Sequence, residues 1–177
     1  MSKVQKVAVV GAGLGGLTAA IALRQRGFDV TVYEQAGALG EIGAGIQISP
    51  NAARVLMALG LDQAFEAIAF EPDRHVVRNW KTGSIVSATQ MKGVFRPQYG
   101  AGYFGAHRAD FHAVLQRAVP SECIRLNARC TGVEQRADRA LLTFGDGGTA
   151  EADVAIGADG IRSAGRTRLL GPDAPRF

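Results

Sequence analysis

Of the 177 residues only two are cysteine, Cys123 and Cys130, and they form no C-x-x-C pair. That count suits free thiols in a reducing compartment, with a disulfide left open. No run approaches the ~18 apolar residues of a membrane span, and Val7 to Val10 is too short for the apolar region of a secretory leader. The expected compartment is the cytoplasm. Clustered basic charge is also missing: the net charge of +4 comes from 20 basic and 16 acidic residues spread along the chain without interleaved aromatics, which argues against nucleic acid. The three histidines, His75, His107 and His112, show no metal-ligand spacing with a further His or Cys, and no metal is expected. There is no Ser/Pro/Gln-rich tract, low-complexity segment or internal repeat. With 47% apolar residues, the chain is expected to be one folded domain, residues 1–177, with a sizeable core.

What is present is concentrated near the start. Val7 to Val10 is a continuous apolar run, as in a strand covered on both faces of a parallel sheet. It stops at Gly11, which with Gly13 and Gly16 gives G-x-G-x-x-G. Leu17, Ala20, Ile21 and Leu23 then recur at helical spacing until Gly27, and a second strand, Asp29 to Glu34, ends on a carboxylate. Gly11 allows a tight turn, Gly13 lets a pyrophosphate approach the backbone, and Gly16 lets helix and strand pack closely. The helix N-terminus offers N–H groups and a positive dipole to phosphates. Glu34, 23 residues past Gly11, lies where a carboxylate accepts hydrogen bonds from adenosine ribose hydroxyls. The combination points to an adenine dinucleotide, FAD or NAD.

Farther along, Ala36 to Ile48 reads as a glycine-rich loop packed on the ligand, because Ile42, Ile46 and Ile48 are apolar residues a solvated linker has no use for. Ser49-Pro50 opens a helix from Asn51 to Leu59, and Asp62 caps a short helix through about Ala69. His75 to Thr89 is strand-like with a turn at Lys81-Thr82-Gly83, and Met91 to Tyr103 is irregular. Ala109 to Val119 is helical. The remainder is β-rich: Ile124 to Leu126, Thr131 to Gln135, Ala140 to Phe144 and Ala152 to Ile156, the last leading into Gly157-Ala-Asp-Gly160.

These pieces together resemble the FAD-dependent aromatic hydroxylases, the single-component flavoprotein monooxygenases that include salicylate and hydroxybenzoate hydroxylases. The match is carried by Gly11-Ala-Gly-Leu-Gly-Gly16 with Glu34, by Gly43-Ala-Gly-Ile-Gln-Ile-Ser-Pro-Asn51, by His107-Arg108-Ala-Asp110 at a helix start, and by Gly157-Ala-Asp-Gly-Ile-Arg-Ser163 with Arg166. It runs from about Lys6 to Pro172. The resemblance implies an α/β, Rossmann-like FAD-binding domain with inserted antiparallel strands, incomplete at its C-terminus. It implies that Gly11, Gly13, Gly15 and Gly16 receive the FAD pyrophosphate, with Glu34 and Gln35 at the ribose and the main chain near Cys130 at the adenine. Gly45 and Gln47 fall in the family's cofactor loop, Arg108 looks like the arginine on the flavin side, and Asp159 corresponds to the Asp-Gly motif at the phosphates. Some family members acting on pyridine rings place a histidine, proposed as a base, where this chain has Gln47. An amide takes up no proton at useful pH, so Gln47 is expected to orient flavin or substrate.

Under the same resemblance, NAD(P)H reduces FAD, O₂ adds to give a flavin hydroperoxide, and a small aromatic acid is hydroxylated. No Ser-His-Asp or paired-carboxylate arrangement is needed. The family continues with a substrate-covering sheet and a second Gly-Asp motif. The only later Gly-Asp here, Gly145-Asp146, sits in a hairpin turn, and the sequence reaches Pro175-Arg176-Phe177 where a substrate-domain strand would begin. The expectation is therefore the N-terminal portion of a longer flavoprotein, with weak or no FAD retention and no turnover on its own. Two alternatives are an NAD-dependent reductase or dehydrogenase domain, and a noncatalytic dinucleotide-binding module.

Overall fold

The computed structural model describes residues 5–40 and 43–171, without the side chains of Arg162 and Leu169. Ile42 and the Pro175–Phe177 end, both used in the sequence reading, lie outside the described residues. In chain order the elements are β1 (Lys6–Val10), α1 (Leu14–Gln25), β2 (Asp29–Tyr33), β3 (Gly45–Ile48), α2 (Pro50–Ala58), α3 (Asp62–Glu66), β4 (Ala69–Phe70), β5 (Arg74–Arg78), β6 (Ile85–Gln90), α4 (Phe95–Tyr99), β7 (Phe104–His107), α5 (Arg108–Arg117), β8 (Ile124–Arg125), β9 (Cys130–Arg136), β10 (Arg139–Phe144), β11 (Thr149–Ala152), β12 (Val154–Gly157) and α6 (Ala164–Leu170). They fall into two compact units: Met1–Gly40 with Leu115–Phe177, and Glu41–Val114.

The first unit holds a four-stranded sheet in the order β12-β1-β2-β8, with every pairing parallel. Continuous apolar runs become its central strands: Val9, Val30 and Val32 are fully buried, and α1 covers them with Leu17, Ala20 and Ile21. A parallel strand pair needs such a crossover helix, because a hairpin cannot return the chain in the same direction. The antiparallel sheet β11-β10-β9 supplies Leu142 and Phe144 to a cluster with Ala8 and Val10. Tyr33 and Phe144 pack with ring centroids 4.9 Å apart.

The stretch Ala152 to Ile156, expected as one strand, is two: β11 ends at Ala152 in the antiparallel sheet and β12 begins at Val154 in the parallel one. The break is Asp153. Its Oδ2 accepts the N–H groups of Gln5 and Lys6, both at 2.8 Å, while its own N–H donates to the Lys6 carbonyl at 3.0 Å. One carboxylate thus satisfies the entry to β1 and turns the chain from one sheet into the other.

In the second unit β3, β7 and β4 form an antiparallel sheet, and β5 with β6 forms a hairpin. Phe65 is its buried centre, edge-on to Phe104 at 5.6 Å and to Phe111 at 4.9 Å. Three local expectations are corrected here. Gly45–Ile48 is a strand, because Ile46 and Ile48 alternate with Gly45 and Gln47 against β7. Asp62 lies in the first turn of α3 and Leu61 is its N-cap, and that helix stops at Glu66 so that Ala69 and Phe70 can pair with β7. The span 91–103 contains α4, closed by Gly100 at φ +76°. Among the described residues no helix is long and apolar enough to cross a membrane.

Candidate dinucleotide-binding site

The C-terminal ends of β1, β2 and β12 meet around the glycine turn. Gly11 donates its N–H to the Tyr33 carbonyl at 2.7 Å, and Ala158 donates to the Val10 carbonyl at 2.8 Å. Gly11 sits at φ +102°, and a Cβ on it would lie 2.4 Å from the Ala158 carbonyl oxygen. A Cβ on Gly16 would lie 1.9 Å from the Gly11 carbonyl oxygen. These two glycines are demanded by the fold itself, through close approach of helix, strand and the 158 turn.

Gly13 and Gly15 differ. A Cβ on either would have nothing within 4 Å, and Gly13 has an ordinary extended backbone at φ −72°. Packing within the chain does not require glycine there; room for an incoming group does. Gly13 is also the N-cap of α1, so no side chain caps the helix, and its first turn carries no acid. Its leading N–H groups are left for an external acceptor, and the helix dipole favours an anionic one.

A cleft of about 620 Å³ opens at this turn, with Gly11, Gly13, Glu34, Gln35, Cys130 and Asp159 on its walls. Glu34 follows β2 and is half-buried; its Oε2 accepts the Ala12 N–H at 2.8 Å and its Oε1 the Ala36 N–H at 2.9 Å. Each carboxylate oxygen has a second lone pair, so two acceptor positions remain for hydroxyls of a ligand. Gln35 is exposed beside it. Across the cleft Cys130 Sγ donates to the Gly132 carbonyl at 3.4 Å. Burial pushes this thiol above its usual range, and the Asp159 carboxylate adds to the shift, while the Gly132 contact opposes it. Burial likewise raises the Tyr33 phenol, which lines the same space.

Asp159 uses one oxygen structurally. Its Oδ2 accepts the Ala164 N–H at 2.8 Å at the start of α6, where Ser163 Oγ also accepts the Arg166 N–H at 2.9 Å. Among the described residues its Oδ1 is buried with no partner. A buried carboxylate oxygen without a donor is costly. Asp159 also reaches a neighbouring cavity of about 340 Å³ lined by Val10, Val133, Ala155 and Leu170.

The structure thus brings Gly11, Gly13, Gly15, Gly16, Glu34, Gln35, Cys130 and Asp159 together in the first unit. The other three expected residues belong to the second unit. Gly45 and Gln47 lie on β3, Gly45 opposite His107, and the Arg108 N–H donates to the Ala44 carbonyl at 3.1 Å. Sequence reasoning passed over Tyr33, Ala128, Arg129, Thr131 and Ala158, which also line the cleft. Arg129 and Thr131 flank Cys130 and were reachable as its neighbours; Ala128 depends on Asn127 at φ 57°, which the sequence does not announce.

Fold and site define a Rossmann-like dinucleotide-binding α/β protein, and residues 9–48 match the family described as an NAD(P)-binding Rossmann-like domain. Over its whole length the chain is 41% identical to 6-hydroxynicotinate 3-monooxygenase of Pseudomonas fluorescens, of which it covers 46%. It is 36% identical to salicylate hydroxylase of Pseudomonas putida, with 97% of this chain and 41% of that protein aligned. The structure of Klebsiella pneumoniae HpxO complexed with FAD and uric acid superposes with a TM-score of 0.83 at 31% identity, covering 92% of this chain and 41% of that one. The chain is a homologue of the FAD-dependent aromatic hydroxylases, and it spans less than half the length of the relatives it matches.

Proposed function

We propose that this chain is the FAD-binding portion of an NAD(P)H-dependent flavoprotein monooxygenase that hydroxylates a small aromatic acid with O₂. The observation that carries the reading is the pairing of an uncapped α1 N-terminus, open at Gly13 and Gly15, with Glu34 across the same cleft. FAD fits this donor set. The leading N–H groups of α1 hold its pyrophosphate, the free lone pairs of Glu34 take the ribose hydroxyls with Gln35 alongside, and the main chain at Cys130 borders the adenine. Asp159 Oδ1, buried without a partner among the described residues, accepts a hydrogen bond from the bound cofactor or a water it orders. For Gly45, Gln47 and Arg108 the proposal rests on the family resemblance.

When bound, the flavin supplies the redox and oxygen chemistry. The residues of this chain bind it and orient it. The test is to express the complete gene product, load it with FAD and follow NAD(P)H oxidation with a panel of hydroxybenzoates and hydroxypyridine carboxylates. The reading requires substrate-stimulated NAD(P)H consumption and a product heavier by one oxygen atom. Tight NAD binding with reversible hydride transfer to a small substrate, and no flavin, would favour the dehydrogenase alternative instead.

A further inference from the structure

The β5–β6 hairpin of the second unit is solvated on both faces: of residues 74–90, only Val76 is even half-buried. Its large apolar side chains are not spread evenly. Val77, Trp80, Ile85 and Val86 are all exposed, Trp80 to 87% and Val86 to 67%, and all four lie toward the tip. The base of the ribbon presents Arg74, His75, Thr89 and Gln90 instead.

The tip is ordered by its own bonds. Asn79 Oδ1 accepts the N–H groups of Lys81 at 2.9 Å and Thr82 at 3.2 Å, the Asn79 N–H donates to the Ser84 carbonyl at 2.8 Å, and Arg78 Nη1 donates to the Gly83 carbonyl at 2.8 Å. Gly83, at φ +73°, completes the turn. These contacts fix a loop that holds an indole out in water, with the Lys81 ammonium 5.2 Å from its ring centroid. Charge at this end is one-sided. Residues 74–92 contain Arg74, Arg78, Lys81 and Lys92 and no Asp or Glu. Among the described residues Arg74, Arg78 and Lys81 have no carboxylate partner, and Lys92 only reaches the exposed Asp73 at 4.0 Å.

A cover for this tip must accept aliphatic groups, an indole and cations together. A second copy would bring its own Arg78 and Lys81 against these, like charge facing like. A nucleic acid would engage the cations and leave Val77, Ile85 and Val86 in water. A further protein layer would want an apolar face along the whole ribbon, and the base half is polar. An anionic bilayer takes both sets at once, since Trp settles at headgroup level while Lys and Arg meet the lipid phosphates.

We infer that the tip of the β5–β6 hairpin is a peripheral docking element for an anionic lipid bilayer surface, with Trp80 as the interfacial anchor, Val77, Ile85 and Val86 as a shallow apolar wedge, and Arg78 and Lys81 as the headgroup partners. The inference is independent of the hydroxylase reading, and its geometry lies wholly within the second unit.

Trp80 is the one tryptophan of the chain, so its fluorescence reports the tip alone. The experiment titrates the 177-residue chain with vesicles of equimolar phosphatidylcholine and phosphatidylserine. The expected result is a saturable blue shift of Trp80 emission, quenched by lipids brominated near the headgroup end of the acyl chain and reversed by added salt. In vesicle co-sedimentation Trp80→Ala should bind at least about ten-fold more weakly, Lys81→Gln about five-fold more weakly, and Lys81→Arg as the parent does. The thermal midpoint of each variant should match the parent's, because these side chains are exposed. Co-sedimentation of the complete gene product should show the same loss in Trp80→Ala. An unshifted Trp80 with phosphatidylserine vesicles at low salt, equal binding to phosphatidylcholine alone, or the same blue shift with double-stranded DNA would each overturn the inference. So would emission already blue-shifted without lipid in proportion to protein concentration, which marks a second copy. Indifference of the complete gene product to Trp80→Ala, which marks a tip covered by the rest of the protein, would do the same.

Discussion

Glu34 Oε2 accepts the backbone N–H of Ala12 at 2.8 Å, tying the carboxylate that follows β2 to the middle of the glycine turn that follows β1. Its second oxygen holds the Ala36 N–H at 2.9 Å. The acid therefore shapes the cleft before any ligand arrives and keeps acceptor positions for one that does. Glu34→Gln places an amide N–H against a backbone N–H and removes the charge-assisted bond. The expected outcome is a loss of about 1–3 kcal/mol in unfolding free energy, measured by urea titration, together with weakened ADP affinity measured by calorimetry.

Three glycines of the turn separate by experiment. Gly16→Ala drives a Cβ to 1.9 Å from the Gly11 carbonyl oxygen and Gly11→Ala drives one to 2.4 Å from that of Ala158, so both should fail to give a cooperatively folded chain. Gly13→Ala meets nothing within 4 Å. It should retain its thermal midpoint to within about 2 °C, a shift of no more than about 1 kcal/mol, yet bind ADP at least about ten-fold more weakly. Calorimetry and thermal melts of the three variants check this.

Cys130 should be a slow nucleophile. Burial first, and then the Asp159 carboxylate, hold its thiol above the usual range, so the thiolate fraction at pH 8 is below that of a free cysteine. In a Cys123→Ser background, alkylation by iodoacetamide should be slower than for glutathione, and slower again with ADP present, because Cys130 lines the cleft. Mass spectrometry over time provides the rates.

Asp153 gives a pH dependence with a defined sign. The Lys6 N–H first and the Gln5 N–H second lower its carboxyl below the ordinary value. A folded-state value below the unfolded one means the stabilisation is present above the unfolded pKa, about 3.9 for aspartate, and is lost as pH falls through the folded value. The urea midpoint of the parent should exceed that of Asp153→Asn at pH 7, and the two should converge as pH drops below about 4.

The parallel core was legible because its signals are local and agree with one another. Val7 to Val10, the glycines, the 3.6-residue spacing of α1 and Glu34 all lie within one short stretch, and each became the element its pattern implies. What was missed depends on partners distant in sequence. Asp153 breaks a strand because residues 147 and 148 positions away need an acceptor. Gly45–Ile48 becomes a strand because β7, some 60 residues on, pairs with it, where four glycines between 37 and 45 had suggested a loop. Gln47 was singled out, but its hydroxyl partner Tyr103 carries no sequence signal linking the two.

The most direct measurement is the ¹H–¹⁵N map of the chain titrated with ADP, the adenylate half of the proposed cofactor. The account requires saturable shifts centred on the amides of Ala12, Gly13, Glu34 and Ala158, lost in Glu34→Gln and in Gly13→Ala. Absence of shifts at those amides with millimolar ADP, or saturable binding confined to the second unit, would contradict it.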